Sequence, residues 1–287
     1  MYFFLCNLAF IDLCFVNTTV PNLLKDITRE RKKISVAGCL AQSYLYFLVG
    51  TTQFFLLDVM CYDRYLAICH PLYYSAIMRK KMCVQLVLGA WLSSFFCILF
   101  PTLMTMRLSF CFSKINHFFC DIGPLLRNSC SDSSFVQLLV FLSSGSLLFS
   151  LMVAVISYTH IVLAISKIRS AEGRSRVFST CSSHAIVVSF FFGSCIFMYI
   201  KPVRYQAVDE YDKLVAVLNT IIVPLINPYI YTLRNKIVND ILRGRRGKCI
   251  TISKCIFHFR NTKKHIFQTY YLEKCLNEMS YVRTILH

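Results

Sequence analysis

"ISVAGCLAQSYLYFLVGTTQFFLLDVMCYDRYLAICHP", residues Ile34 to Pro71, runs through Leu57 without a formal charge before it meets Asp58 and then the pair Asp63-Arg64. A helix that crosses roughly 30 Å of hydrocarbon needs about 20 mainly apolar residues. This stretch has the length to do so, and its charges fall near one end. Lipid is therefore the first solvent to consider.

The windows on either side pass the same test. Met1 to Leu24 is apolar except for Asp12, and Met82 to Met106, Ser133 to Ser166 and Val177 to Ile200 carry no formal charge; Leu214 to Leu233 closes the series. In lipid every backbone N–H and C=O must be paired within the protein, which leaves helices or a closed barrel. The runs are too long for barrel strands and lack period-2 alternation. The expected fold is all-α, a polytopic transmembrane bundle of six helices. The start, "MYFFLCNLAFIDLCF", has no charged region ahead of a short apolar core and cleavage site, so the first helix serves as its own insertion signal.

The chain is 56% hydrophobic yet carries a net charge of +17, and the positions of the bases decide what that charge means. Arg79 to Lys81, Lys167 to Arg176, Arg234, Lys236 and the cluster from Arg243 to Lys248 fall on one side of the spans, which the positive-inside rule makes cytoplasmic. "KDITRERKK", Lys25 to Lys33, is the basic exception on the other side. Bases in short loops without a recognition motif give no nucleic-acid reading. Two regions result: a membrane domain over 1–242, whose last turn from Arg234 to Leu242 fits a short amphipathic surface helix, and a basic cytoplasmic tail over 243–287. Cys249 in that tail, beside the bases, is a candidate for palmitoylation.

With that orientation, Cys39, Cys111, Cys120 and Cys130 lie at the oxidising face, and four cysteines allow three pairings between which spacing does not choose. The membrane cysteines are expected to be small packing residues. His117 and Cys120 have a possible metal spacing, but a disulfide-bonded Cys120 has no thiolate to offer, so no metal site and no cofactor are expected. His160 and His184 are expected as hydrogen-bonded packing residues.

Arg64 at the end of its span could be a snorkelling anchor. Asp63 beside it can instead hold the guanidinium in a charge-assisted pair that another state releases.

The motifs "MCYDRYLAICHPLYYSAIM", "RVFSTCSSHAIVVSFFFGSCIFMY" and "PLINPYIYTLRNK" resemble the third-helix end, sixth helix and seventh helix of vertebrate olfactory receptors, which are rhodopsin-like G-protein-coupled receptors. "MYFFLCNLAFIDLCF" is similar to that family's second helix and "INHFFCDIGPLLRNSCSD" to its second outer loop. The resemblance runs from Met1 to about Leu242. It implies a rhodopsin-like bundle with six of the usual seven helices, the family's first helix having no match here. It implies that Asp63, Arg64 and Tyr65, with Asn227, Pro228 and Tyr231, form the switch that opens a cavity for a heterotrimeric G protein. Pro228 permits the kink. It pairs Cys39 with Cys120 and Cys111 with Cys130, at about 2 to 4 kcal/mol each.

The resemblance also implies a polar mid-membrane cluster of Asp12, Gln53 and Asn227. Gln53 stands where the family usually has glutamate, so the cluster lacks a charge that a sodium ion would want. Asp58 stands where the family has a small apolar residue, and its sequence neighbours offer it no partner. The ligand pocket falls to Tyr46, Phe47, Gly50, Thr51, Phe192, Ile196, Tyr199 and Thr220. None is charged, which favours a small, mainly apolar odorant. The chain is then a plasma-membrane receptor and not an enzyme, and its partners are odorant, G protein and lipid bilayer. Other readings are a truncated receptor that no longer signals, or a transporter or channel, which would need a polar pathway.

Overall fold

The computed structural model describes residues 2–28, 34–111, 119–199, 215, 218–224 and 226–227. Pro228, Tyr231, His117, the 234–242 segment and the 243–287 tail with Cys249 lie outside them, as does the side chain of Tyr199. The described elements are α1 (Tyr2–Thr28), α2 (Val36–Cys69), α3 (Pro71–Ile77), α4 (Lys80–Thr105), α5 (Ile122–Arg127), α6 (Ser134–Ser166) and α7 (Ala171–Tyr199), followed by a π-helical turn, Leu218–Ile222. One isolated antiparallel bridge, Phe110 to Ser129, ties the outer loop to itself.

α2 starts where the Ser35 side chain accepts the Gly38 N–H at 3.1 Å, covering one of the orphan donors of the first turn. It stops at His70, because Pro71 has no N–H to continue the ladder but is well suited to open α3. Its 34 residues make a rod about 51 Å long at about 1.5 Å per residue, so its ends emerge from the hydrocarbon.

α2 is also the central helix, packed on α1, α4, α6 and α7. Its neighbours bury only narrow stripes: Val87, Ala90 and Ser94 on α4, and Ser150, Ala154 and Ile161 on α6. Their other faces present Leu92, Phe96, Phe100, Phe141, Phe149 and Val162 outward. Helices apolar all round, with large aromatics outside and small residues inside, belong in lipid.

Of the six expected spans, α1, α2, α4 and α6 are long and apolar enough to cross a bilayer. In α7 the described apolar stretch is Cys181–Ile196, and Glu172 and Arg174 occupy the first turn of the helix. The last expected span is described only around its π-helical turn. Among the described residues the protein is an all-α transmembrane bundle.

The main core lies between α1, α2 and α7, around Phe4, Leu8, Ile11, Leu57, Val187 and Phe191.

Candidate functional site

The largest set of expected site residues lies along α2, in three groups from one end to the other. At the Cys39 end, the sulfur of Cys39 is bonded to Cys120, with Cα atoms 5.3 Å apart, and Cys111 is bonded to Cys130 at a Cα separation of 5.6 Å. Cys120 thus has no thiolate for a metal. One turn along α2, Gln42 donates to the carbonyl of Thr18 at 3.0 Å and accepts the Cys120 N–H at 3.4 Å, joining α1, α2 and the outer loop.

A further turn along is Tyr46. Phe119 of the loop stacks on its ring at 4.1 Å between centroids, and Phe15 of α1 meets it edge-on at 5.2 Å. Phe47 packs against the same ring at 5.3 Å. Gly50 is where the Phe15 ring passes closest: an added Cβ would lie 3.3 Å from it. Phe192 belongs to the same buried cluster as Tyr46, through Phe54 at 5.4 Å. Thr51 and Thr220 are buried and Ile196 is half-buried. The expected pocket residues at Tyr46, Phe47 and Gly50 are therefore brought together, with aromatic rings filling the space between them.

A separate cavity of about 330 Å³ lies along the seam between α7 and the π-helical turn, lined by Ser189, Phe190, Gly193, Ser194, Val215 and Leu218. It contains none of the expected pocket residues. Phe190, which faces outward, is 60% exposed, so this is a groove on the lipid side and not the bundle interior. Across the same seam Asn219 accepts from the Ser194 hydroxyl and donates to the Cys195 sulfur at 3.6 Å.

In the middle of the bundle Asn227 donates to both carboxyl oxygens of Asp12, at 3.2 and 3.1 Å, and Gln53 donates to one of them at 3.4 Å. All three are buried. The acid at Asp58 faces Ser150 of α6, but its Oδ1 and the Ser150 hydroxyl are buried without completing a hydrogen bond. Cys61 and Cys181 are buried free thiols that pack as small apolar groups, and Cys195 is a buried free thiol that accepts from Asn219; Cys6, expected as a packing residue, is disulfide-bonded.

At the Arg64 end, Asp63 is buried and accepts from the Tyr74 hydroxyl of α3 at 2.9 Å. Burial, and then the hydrogen bond to Asp63, push the Tyr74 phenol up to about 12. Tyr65 pairs with His70 at 3.0 Å and packs on the His160 ring at 5.8 Å. His184 is bonded to Tyr158 at 2.6 Å, which ties α6 to α7 close to the charge of Arg64. His184 is thus a buried, hydrogen-bonded packing residue as expected, whereas His160 is exposed and meets Tyr65 ring against ring. Beyond them α3 exposes Leu72, 88% accessible, and Tyr73.

Sequence reasoning missed Phe15, Gln42, Phe119 and Tyr74. Gln42 and Tyr46 follow Cys39 on one helical face, at i+3 and i+7, and that spacing is the signal that would have found Gln42. The loop residues carry no periodicity to place them.

Residues 1–231 match the family of 7 transmembrane receptors of the rhodopsin type. The chain is 47% identical over 250 residues to mouse olfactory receptor 6E1, covering 86% of this chain and 80% of that one. It is 46% identical to human olfactory receptor 2AP1, over 88% of this chain and 82% of the relative. Against human olfactory receptor 6X1 the identity is 44%, over 85% and 78%. This chain is accordingly a receptor and not an enzyme, and a multi-pass protein of the plasma membrane. The arrangement along α2 and the extent of these matches lead to one assignment: this chain belongs to the olfactory receptors of the rhodopsin-like G-protein-coupled receptor family.

Proposed function

We propose that this receptor binds small, mainly apolar odorants within the helical bundle and activates a heterotrimeric G protein of the kind that raises cyclic AMP. The observation that carries the reading is the layout of α2. One rod holds Tyr46, Phe47, Gly50 and Thr51 near the disulfide-bonded end and Asp63, Arg64 and Tyr65 at the other. Phe192, Ile196 and Thr220 complete an interior with aromatic, aliphatic and hydroxyl groups and no charge, which suits a neutral ligand held by burial with a few polar handles. Tyr199 is assigned to the same wall by its place in α7.

The switch reading rests on Arg64 beside a buried Asp63, with Asn227 bound to Asp12 deeper in the bundle and Pro228 and Tyr231 following in sequence. Exposed Leu72 and Tyr73 give the G protein an apolar foothold next to that end. An odorant acts by binding the open state better than the closed one; equal affinity for both would shift nothing.

The experiment is expression with a surface tag, a G-protein α-subunit that raises cyclic AMP, and an odorant panel, beside Arg64→Ala. A surface-exposed chain should respond to at least one odorant, and the response should vanish in the variant with surface signal retained. Surface exposure without any response would support the reading of a receptor that no longer signals.

A further inference from the structure

The groove between α7 and the π-helical turn holds none of the proposed pocket residues, but it borders on them. Ser194 lines the groove and donates to the side chain of Asn219, the residue before Thr220. Phe192 and Ile196, two positions to either side of Ser194 on α7, belong with Thr220 to the proposed interior. Asn219 and Thr220 are both 4% exposed, whereas Leu218 just before them lines the groove. The turn thus has one edge in lipid and its next residues inside the bundle, in the wide helical form that is frequent at functional sites.

The contact that closes this seam parts easily. Ser194 has a single hydroxyl proton and three acceptors within reach: Asn219 Oδ1, the Phe190 carbonyl at 2.7 Å and the Phe191 carbonyl at 2.9 Å. It can release Asn219 and keep a hydrogen bond to its own helix, so opening leaves the Ser194 hydroxyl satisfied. The second tie runs from Asn219 to the Cys195 sulfur at 3.6 Å, and sulfur is a weak acceptor. Beside the latch α7 leaves open space, since a Cβ built on Gly193 meets nothing within 4 Å.

What reaches such a latch depends on where the groove opens. Phe190 on its rim is turned to hydrocarbon, so an occupant arrives dissolved in the bilayer. Among the described residues the lining carries no charge, and Ser189 and Ser194 offer hydroxyls. That suits a neutral aliphatic chain with one polar end group, such as an alcohol. Each methylene favours hydrocarbon over water about fourfold, so the longer members of such a series meet the receptor mainly from the membrane. A phospholipid chain matches the apolar lining, but its polar end stays at the headgroups, away from Ser189 in the middle of the apolar stretch Cys181–Ile196.

We infer that the seam between α7 and the π-helical turn is a side entrance through which aliphatic odorants dissolved in the bilayer pass into the pocket, with the Ser194–Asn219 contact as its latch. The inference rests on the odorant pocket proposed above. An entrance governs how fast a ligand arrives and leaves, and the half-maximal concentration at equilibrium is indifferent to it.

The test follows G-protein dissociation in cells that display the full, surface-tagged chain, after addition of straight-chain alcohols from butanol to decanol. Gly193→Leu puts a side chain into the groove where the native backbone leaves room, and Ser194→Ala removes the latch while keeping the backbone ladder of α7. Onset for the long alcohols should slow several-fold in Gly193→Leu and quicken in Ser194→Ala, with butanol onset and all half-maximal concentrations unchanged. General destabilisation does not produce opposite signs in two variants. Unchanged onset in both overturns the entrance. A shift in half-maximal concentration in place of a change in onset makes the groove a binding site and overturns the entrance as well. If no alcohol excites the native chain, the proposed ligand class fails, and labelling in nanodiscs decides the entrance: a diazirine-bearing decanol should label the Ser189 to Ser194 segment first and the segment with Thr220 later, the later label being delayed in Gly193→Leu. Groove label that excess unlabelled decanol does not displace, or interior label that Gly193→Leu does not delay, overturns the proposal.

Discussion

Asn227 donates both of its close contacts to Asp12, 3.2 and 3.1 Å from the two carboxyl oxygens, across a sequence separation of 215 residues. Gln53 approaches the same carboxyl at 3.4 Å and leaves its own Oε1 buried without a partner. Removing the donor in Asn227→Leu leaves a buried carboxyl short of partners, a loss of about 1 to 3 kcal/mol. The thermal midpoint of the purified receptor should fall accordingly, and an unchanged midpoint would count against the contact.

Gln53→Glu puts a second carboxyl beside Asp12. Two buried carboxyls at this distance repel unless a cation lies between them. The native midpoint should be the same in sodium chloride and choline chloride, whereas the variant should be stabilised by sodium. A native receptor that already depends on sodium would contradict this expectation.

Tyr74 bears on pH. Its phenol pKa is raised to about 12 from an ordinary 10, so the folded state holds the proton more tightly than the unfolded chain does. The stability linked to this group is therefore fully present below pH 10 and lost as pH rises towards 12. The contact with Asp63 should be indifferent to pH across the physiological range. An alkaline ultraviolet titration, compared with Tyr74→Phe, should lose one late-ionising tyrosine in the variant. On the switch proposed above, basal cyclic AMP should also rise in Tyr74→Phe, since Asp63 loses the hydroxyl that donates to it.

Asp58 has a buried oxygen without a partner. An acid at mid-helix costs about 2.5 to 3.5 kcal/mol on insertion scales. Asp58→Leu should insert better and raise surface abundance, measured by flow cytometry of the tagged chain. A fall would mean that Asp58 has a positive role at the α2 to α6 contact.

The Cys39–Cys120 and Cys111–Cys130 disulfides close loops of different size, with sequence separations of 81 and 19. Chain entropy makes the larger one worth about 1.3 kcal/mol more. Cys39→Ser should therefore cost more stability than Cys111→Ser, read as the ratio of surface signals.

How much of this is legible in the sequence differs between parts of the molecule. The spans are legible because charge is costly in lipid: Arg107, Asp132 and Lys167 each stand just beyond an uncharged run, and the helices end beside them. The convergence of Asp12, Gln53 and Asn227 follows once helices are aligned by family resemblance, since three buried polar groups in a bundle are drawn to one another. Phe119 and Phe15 are not legible. Each is an aromatic residue among 25 phenylalanines, and its importance lies in which ring it meets, which is settled by loop path and helix rotation. Tyr74 is hidden for a similar reason: its partner lies 11 positions back, across the turn at His70 and Pro71 that only the fold reveals.

The sequence of α2 contains no proline, whereas α1 has Pro21 and α4 has Pro101. Proline inside a helix is a place to bend, so α1 and α4 have a bending point that α2, like α6 and α7, lacks. A stiff axle with its outer end covalently pinned can turn or tilt but does not fold midway. Between the Phe119 contact and Arg64 the central helix therefore has no proline bend at which a tilt would be absorbed, and the bending points lie in α1 and α4.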